Sequence, residues 1–270
     1  MSNEPTALPL PPQNLRILVG PFSDAELFVR SGDKMVSDIV ELCGLAPDAK
    51  VLDVGCGCGR LARALAGYIG PEGSYEGFDL ARDLIAWCKQ NLEPFLPNFR
   101  FSFADVRSQD RNPGGPVAAT EFQFPFANGT FDLAILSSVF THMLPDEIEN
   151  YVAELSRVPK PGGCCFASVF LFDAEGEAAV ANGSTIFDFR HSIGPCLTFN
   201  PDAPDEGIAC RKQWFLELIE DLGFRIEAVQ PGNWRQVRSY AVSQDYVVGR
   251  EATPGADTSP SASRVRSSQP

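Results

Sequence analysis

The sequence has few histidines and little positive charge. It contains 2 His, and 22 Lys and Arg stand against 35 Asp and Glu, which gives a formal net charge of −13 over 270 residues. Such a chain repels a phosphate backbone at long range, so we expect no nucleic-acid partner. The 8 Cys form no paired C-x-x-C motif, and only His142 and His191 could assist them in binding zinc. Buried thiols in a reducing compartment are therefore the favoured interpretation, and we expect no metal site.

Long apolar runs are also missing. No stretch approaches the ~18 consecutive apolar residues of a membrane-spanning helix. The first residues, MSNEPTALPLPP, lack the basic flank and apolar segment of a signal peptide. These absences predict a cytoplasmic protein without a membrane contact. No repeat of fixed period is present, which excludes solenoids and propellers.

The two ends of the chain differ in composition from the rest. Residues 1–13 are rich in Pro and polar residues, and residues 251–270 consist largely of Pro, Ser, Ala and charged residues without an apolar period. Neither segment buries enough apolar surface to offset the entropy of ordering it. We therefore predict two flexible tails around one domain that spans residues 14–250.

Between the tails, short apolar runs typical of strands alternate with segments whose apolar residues follow a helical period. After a leading helix that ends at Gly44, this alternation predicts seven strands, at residues 50–54, 74–79, 99–106, 131–136, 164–172, 225–229 and 241–249. Crossover helices between strands indicate an α/β fold with an open sheet and helices on both faces. In such a sheet the ligand lies outside the carboxyl ends of the strands, where the strand order reverses.

A glycine-rich turn follows the first of these strands. Gly55, Gly57 and Gly59 occupy alternate positions in the sequence VLDVGCGCGR, which ends at Arg60. Missing side chains let a ligand approach the backbone closely, and the start of the next helix offers unpaired N–H groups. A dinucleotide fingerprint, G-x-G-x-x-G, would need glycine at position 60. The spacing therefore argues against NAD or FAD.

Two acids close the next two strands. Asp79 ends the second strand, 20 residues after Gly59, and its carboxylate could accept both hydroxyl protons of a ribose. Asp105 ends the third strand and could accept a hydrogen bond from an adenine amine. The alternatives are that Asp79 only caps the following helix and that Asp105 is a surface acid. The specific feature is the joint position of the glycine turn and both acids at successive strand ends.

These motifs resemble the class I S-adenosylmethionine-dependent methyltransferases, over about residues 15–250. The resemblance rests on five segments of the sequence: VLDVGCGCG from Val51, YEGFD from Tyr75, Asp105, FDL from Phe131 with the following SSVFTHM, and RVPKPGG from Arg157. It is strongest with small bacterial enzymes in which a strand runs into S-V-F-T-H. It implies a Rossmann-like sheet with an antiparallel last strand, S-adenosylmethionine as cofactor, and a small-molecule methyl acceptor.

The resemblance also implies the roles of individual residues. Gly55 and Gly57 are expected to border the methionine part of the cofactor, Asp79 to bind its ribose, and Asp105 with Val106 to contact its adenine. We add four further residues to the predicted cofactor-binding set: Asp53, Gly59, Leu80 and Ser138. Two positions depart from the family pattern. Pro159 replaces the usual Leu and should end the preceding helix early, and Cys58 replaces a small, oxygen-bearing residue.

His142 is the predicted catalytic residue, because it follows the fourth strand where an acceptor would meet the methyl group. Imidazoles titrate near neutral pH and suit removal of a hydroxyl proton; the alternative is that His142 only positions the loop. We expect His142, His191 and Trp234 to contact substrate. Residues 173–211 are predicted to form a lid or acceptor wall, or else an excursion that packs the sheet edge.

Two other functions stay open from the sequence. The first is a protein that binds S-adenosylmethionine for regulation without methyl transfer, since the glycines and acids concern binding only. The second is a nicotinamide-dependent oxidoreductase, which the glycine spacing disfavours. The sequence does not determine the acceptor, the methylated atom or the oligomeric state.

Overall fold

The computed structural model describes residues 8–109, 111–236 and 243–252. Within them, strands and helices alternate largely as the sequence predicts. The helices are α1 Gln13–Arg16, α2 Ala25–Cys43, α3 Arg60–Leu65, α4 Arg82–Asn91, α5 Pro145–Arg157, α6 Ala174–Asn182 and α7 Lys212–Asp221. The strands are β1 Lys50–Val54, β2 Ser74–Asp79, β3 Phe99–Phe103, β4 Phe131–Ser137, β5 Pro159–Phe172, β6 His191–Ile193, β7 Cys196–Thr198, β8 Ile208–Arg211, β9 Phe224–Gln230 and β10 Asp245–Glu251.

The main sheet is open and mostly parallel. Its strands follow the order β3-β2-β1-β4-β5, all parallel, and β10 then pairs antiparallel with both β5 and β9. The predicted α/β class, with an antiparallel last strand, is therefore confirmed. The chain runs outward from β1 through β2 to β3 and then returns to β4 on the other side of β1. In open α/β sheets such a reversal marks the usual ligand site, which here falls at the carboxyl ends of β1 and β4.

Helix α2 shows why the leading helix forms where the sequence predicts it. The Asp24 side chain accepts the Leu27 N–H at 2.7 Å, which satisfies one of the free donors at the helix start. Gly44 ends the helix in the left-handed conformation, with φ 63°. Between these ends, Phe28 and Ile39 are among the residues that face the core and are almost fully buried.

Residues 173–211, which we call the wing, extend the sheet instead of leaving it. They contain α6 and strands β6, β7 and β8, so the described residues hold ten strands rather than the seven predicted. The first part of β5 pairs with β10, whereas Phe170–Phe172 pair in parallel with β8. Strands of three or four residues are too short to show a hydrophobic period, and this explains why the sequence did not reveal them.

A buried ion pair holds the branch point of β5. The Asp245 carboxylate accepts the Leu171 and Gly232 backbone N–H groups, each at 2.8 Å, and the Trp234 indole N–H at 2.8 Å. It also pairs with the Arg235 guanidinium at 2.7 Å, while the second Arg235 terminal nitrogen donates to the Leu171 carbonyl. Asp245 is 1% exposed, so this cluster joins β5, β10 and the β9–β10 connection without solvent.

Part of the predicted N-terminal tail is held against the domain. The Arg63 guanidinium on α3 donates to the Leu8 and Pro9 carbonyls, and Arg16 donates to the Pro11 carbonyl at 2.6 Å. The predicted tail residues 1–7 and 253–270 lie outside the described residues. In the part of the chain that is described, no helix combines the length and apolar character needed to cross a membrane.

Candidate active site

The glycine turn between β1 and α3 needs glycine at all three positions. Gly55, Gly57 and Gly59 have φ angles of 73°, 57° and 78°, a region that side chains strongly disfavour. A Cβ atom at Gly55 would lie 2.6 Å from Val139 Cγ2, and one at Gly57 would lie 2.6 Å from Val19 Cγ1. The turn therefore requires glycine for its positive φ angles, and Val139 and Val19 pack so closely that no side chain fits at Gly55 or Gly57.

Asp79 connects the end of β2 to this turn. Its Oδ2 accepts the Gly57 N–H at 2.9 Å, and its Oδ1 accepts the Ala81 N–H at 2.8 Å at the start of α4. Burial raises the pKa of the Asp79 carboxyl above its ordinary value, and these N–H groups partly oppose that rise. The Asp79 carboxylate thus binds the N–H of Ala81 before α4, which agrees with the predicted alternative that Asp79 caps this helix. Each oxygen still has a lone pair that could accept a ligand hydroxyl.

Asp53 lies inside β1 beneath the turn. The Tyr75 hydroxyl donates to its Oδ2 at 2.7 Å, while its buried Oδ1 has no hydrogen-bond partner among the described residues. Burial raises the pKa of Asp53 to about 7, against the lowering effects of the Tyr75 bond and of the Arg60 charge. An unpaired buried acceptor is costly, so this oxygen is suited to a donor that the protein itself does not supply.

The predicted adenine contacts lie at the end of β3. Asp105 is exposed, and its Oδ1 accepts the Asn112 side-chain amide at 2.9 Å. Val106 is buried and pairs with Val117 in an isolated bridge, so β3 ends at Phe103 and not at Val106 as predicted. Leu80 is half-buried directly after β2. Contacts of these residues with a cofactor stay predictions.

A strained serine marks the end of β4. Ser138, with φ 61°, has the one positive φ angle recorded for a non-glycine residue in the described ranges. Its N–H donates to Ser168 Oγ at 2.8 Å, and both serine hydroxyls donate to Gln244 Oε1, at 3.2 Å from Ser138 and 2.7 Å from Ser168. Ser138 was predicted, but its two partners were not, because only the tertiary fold brings them next to it.

His142 follows β4 as predicted and lies on the surface. Its ring Nδ1 is 3.0 Å from the Asp205 carbonyl oxygen, which lies in a short turn of the wing. This contact fits a role in positioning the loop, and it leaves a role as a base to be tested. His191 is exposed on β6, the outermost strand of the wing, four strands from β4. At about 4.8 Å per strand, some 20 Å of sheet separates it from β4.

Trp234 lies inside the core of the wing. It is fully buried against Phe170, Phe189 and Leu197, and its indole nitrogen is bonded to Asp245. No surface of this side chain is available to an acceptor, which argues against the predicted substrate contact. The alternative interpretation of the wing aromatics, that they pack the sheet edge, agrees with this arrangement.

The two departures from the family pattern have local consequences only. Cys58 turns into a core cluster with Phe28 and Leu84 and is 0% exposed. Helix α5 ends at Arg157, two residues before Pro159, as the missing N–H and the restricted residue before a proline require.

The model of a methyltransferase domain family matches residues 51–163, the segment from β1 to the start of β5 that holds the glycine turn and Asp79. This segment of the chain is similar to a methyltransferase domain. A demethylmenaquinone methyltransferase of Bacillus mycoides (strain KBAB4) is 26% identical over 126 residues, which make up 47% of this chain and 46% of that protein. The chain thus spans about half the length of the curated relatives it matches.

Solved structures share the fold of the methyltransferase domain beyond the matched segment. A SAM-dependent methyltransferase from Aquifex aeolicus has a TM-score of 0.54 at 17% identity, over 90% of this chain and 100% of that one. The 1,6-didemethyltoxoflavin-N1-methyltransferase of Burkholderia thailandensis, solved with S-adenosylhomocysteine, has a TM-score of 0.53 at 17% identity, over 84% of this chain and 79% of that one.

The residues of the methyltransferase domain fit the family's cofactor. The glycine turn carries no side chain at three positions, Asp79 offers a carboxylate one strand away, and Asp53 Oδ1 is buried without a partner among the described residues. The match over residues 51–163 agrees with the predicted enzyme class and with S-adenosylmethionine as the predicted cofactor. Among the described residues, no group of three His, Cys, Asp or Glu side chains is arranged to hold a metal ion.

Proposed function

We propose that the protein transfers a methyl group from S-adenosylmethionine to a small-molecule acceptor. The observation that carries this proposal is the hydrogen bond between the Gly57 N–H and the Asp79 carboxylate. It joins the glycine turn to the acid of the neighbouring strand at the edge where a parallel sheet binds its ligand. The net charge of −13 supports a small acceptor over a nucleic acid.

The proposed roles in binding follow the positions of the residues along the strand ends. Gly55 and Gly57 would border the methionine part of the cofactor, and Asp79 would accept hydrogen bonds from the two ribose hydroxyls. Asp105 and Val106 at the end of β3 would contact the adenine. The Oδ1 of Asp105 accepts the Asn112 side-chain amide, so the lone pairs of its Oδ2 could accept a hydrogen bond from the adenine amine.

The chemistry asks little of the protein beyond alignment. When bound, S-adenosylmethionine supplies a methyl group on a positively charged sulfur that leaves as a neutral thioether. Holding the acceptor in line with that methyl group can contribute roughly 7–11 kcal/mol. A hydroxyl acceptor also needs a base, and we propose His142, which is exposed after β4, for this role. We also propose that the protein is cytoplasmic.

Calorimetric titration tests the binding half of this proposal. We expect S-adenosylhomocysteine to bind the wild-type protein and NADH not to bind. Asp79→Ala should weaken S-adenosylhomocysteine binding by about 1–3 kcal/mol, because charge-assisted bonds to a partly buried carboxylate have this magnitude. Tight NADH binding without a response to S-adenosylhomocysteine would reject the proposal.

A transfer assay tests the other half. The protein is incubated with S-adenosylmethionine labelled in its methyl group and with a metabolite library that includes quinols, since the named relative acts on demethylmenaquinone. Appearance of a labelled product supports the proposal and identifies the acceptor. Tight cofactor binding without any labelled product would instead favour a regulatory protein.

A further inference from the structure

Two cysteines face each other across neighbouring strands of the wing. Cys196 begins β7, Cys210 lies in β8, and the antiparallel pairing of these strands places the two residues directly opposite each other. Their sulfur atoms are 3.8 Å apart, and both residues are 0% exposed. Both are free thiols, so no covalent bond joins the two strands at this position.

The register of the strands suits such a bond. The Arg211 N–H donates to the Pro195 carbonyl at 3.0 Å, so these two residues form a hydrogen-bonded pair. Pairs alternate along an antiparallel ladder, which makes Cys196 and Cys210, one position further on, a non-hydrogen-bonded pair. The Cα atoms of such pairs are about 4.5 Å apart. Disulfides form at Cα separations of about 4.4–6.8 Å, so rotation of the side chains can bring the two sulfurs into bonding distance.

Burial decides when this bond can form. Burial and the adjacent Cys196 raise the pKa of the Cys210 thiol well above its ordinary value. The thiolate is the form that attacks a disulfide, so the pair is unreactive while the wing is closed. Strands β6, β7 and β8 have three or four residues each and end the sheet, and elements of this kind open at a lower free energy than global unfolding. Local opening therefore exposes the thiols to a small oxidant.

We propose that Cys196 and Cys210 form a reversible disulfide, with glutathione disulfide as the oxidant. One Cys thiolate attacks a sulfur of glutathione disulfide, whose S–S bond breaks and releases a glutathione thiolate. The second Cys thiolate then attacks the protein sulfur of this mixed disulfide and releases the second glutathione. Two protein thiols are oxidised, one glutathione disulfide is reduced to two glutathione thiols, and the two protons pass to them. In a reducing compartment the pair stays reduced until the glutathione pool is oxidised.

The bond closes a ring around the turn of the wing that contacts His142. The chain between the two cysteines contains the short turn Pro204–Glu206, and in it the Asp205 carbonyl oxygen lies 3.0 Å from His142 Nδ1. A disulfide across β7 and β8 opposes separation of these strands and so keeps this turn in place. Oxidation thus restricts the loop after β4. The disulfide does not depend on the proposed function, since no cofactor takes part in it.

A competing interpretation is that the two thiols only fill space in the apolar core. Both belong to the buried cluster that also contains Phe140 and Phe215. Packing alone predicts that the native protein keeps both thiols, or that glutathione caps each of them separately. A disulfide site predicts that both thiols disappear together. The chemical state of the pair in the wild-type protein therefore separates the two interpretations.

Mass spectrometry of the native, full-length protein tests the proposal. Wild type is incubated with reduced and oxidised glutathione at several ratios, quenched with acid, alkylated after denaturation and digested. We expect a peptide pair linked through Cys196 and Cys210 that disappears after treatment with dithiothreitol. Because the bond closes a ring of about 15 residues, oxidation should also raise the midpoint of thermal unfolding by about 5–10 °C. Hydrogen exchange in residues 199–207 should become about 10–100-fold slower.

Cys196→Ala should abolish the linked peptides, the thermal shift and the slower exchange. Cys165→Ala is the matched control, because Cys165 is buried in the same apolar cluster and its loss should leave all three effects in place. Retention of both thiols in wild type under excess glutathione disulfide, or a separate glutathione adduct on each, overturns the proposal whether or not the variants fold. Linked peptides without slower exchange in residues 199–207 would refute the restriction of the turn beside His142.

Discussion

Ionisation of the buried Asp53 carboxyl should make the free energy of unfolding depend on pH. Asp53 is 1% exposed inside β1, and the Tyr75 hydroxyl is its one hydrogen-bond donor among the described residues. Burial raises its pKa from 3.8 to about 7. The folded state therefore binds this proton more tightly than the unfolded state does. Stability from this group is fully present below the unfolded pKa of 3.8, declines as the pH rises, and is lost above about 7.

The size of the stability loss depends on how much of the tested pH range lies below the folded-state pKa of Asp53. Between about pH 6 and about pH 8.5, only the interval up to about pH 7 does, so the free energy of unfolding should fall by about 1.4 kcal/mol. Asp53→Asn removes the ionisation and should remove this loss. The difference in free energy of unfolding between variant and wild type should therefore shift by about 1.4 kcal/mol in favour of the variant across that range.

Urea unfolding at the two pH values, followed by circular dichroism, measures this shift. Leu52→Ala is the matched control, because the neighbouring Leu52 is fully buried and carries no charge. Its cost of about 2–5 kcal/mol should be the same at both pH values. If Asp53→Asn differs from wild type by a constant amount, Asp53 does not titrate in this range and the argument from burial is refuted.

Other positions give further expectations. Asp245→Ala should lower the free energy of unfolding by about 3–5 kcal/mol, since it removes the closer counter-charge of the buried Arg235 and leaves only Asp173, at 3.6 Å; a loss below about 1 kcal/mol in urea titration contradicts this. Gly57→Ala should weaken S-adenosylhomocysteine binding and lower thermal stability. The control Gly44→Ala has a similar φ angle but nothing within 4 Å of the new Cβ, so it should lower the free energy of unfolding by only about 1 kcal/mol and leave binding intact. If His142 is the base for a hydroxyl acceptor, His142→Ala should reduce kcat by about 10²–10⁴-fold and flatten the pH–rate profile; an unchanged profile assigns it to positioning.

The wing connects the candidate active site to the far edge of the sheet. His142 lies at the end of the turn after β4, and its ring contacts the Asp205 carbonyl in the wing. The ion pair of Asp245 and Arg235 fixes the point at which the wing joins β5. Displacement of the wing would therefore move the loop that carries His142.

Local sequence was sufficient where a residue's role depends on its own neighbours in the chain. The three glycines predicted a turn between strand and helix, and all three adopt positive φ angles that a side chain disfavours. Asp79 was placed by counting to the end of the next strand, and the structure brings its carboxylate to the Gly57 N–H. The position of α2 followed from its apolar period and from Gly44, because both are properties of one continuous segment.

Distant partners could not be predicted in this way. Ser138, Ser168 and Gln244 are 30 and 76 residues apart along the chain, and only the pairing of β4, β5 and β10 brings their side chains together. Trp234 was expected to face an acceptor but fills the core of the wing, because an aromatic residue in an irregular segment shows no period that reveals which way it points.

The sequence by itself determined the α/β alternation, the glycine turn, the acids at the strand ends and the resemblance to class I methyltransferases, since each is encoded within a few consecutive residues. The tertiary structure alone decided that β5 branches, that the wing extends the sheet, and that one buried oxygen of Asp53 has no partner in the part of the chain that the structure describes. The physical reason is that burial and charge pairing depend on residues far apart in the chain, whose proximity no local pattern records.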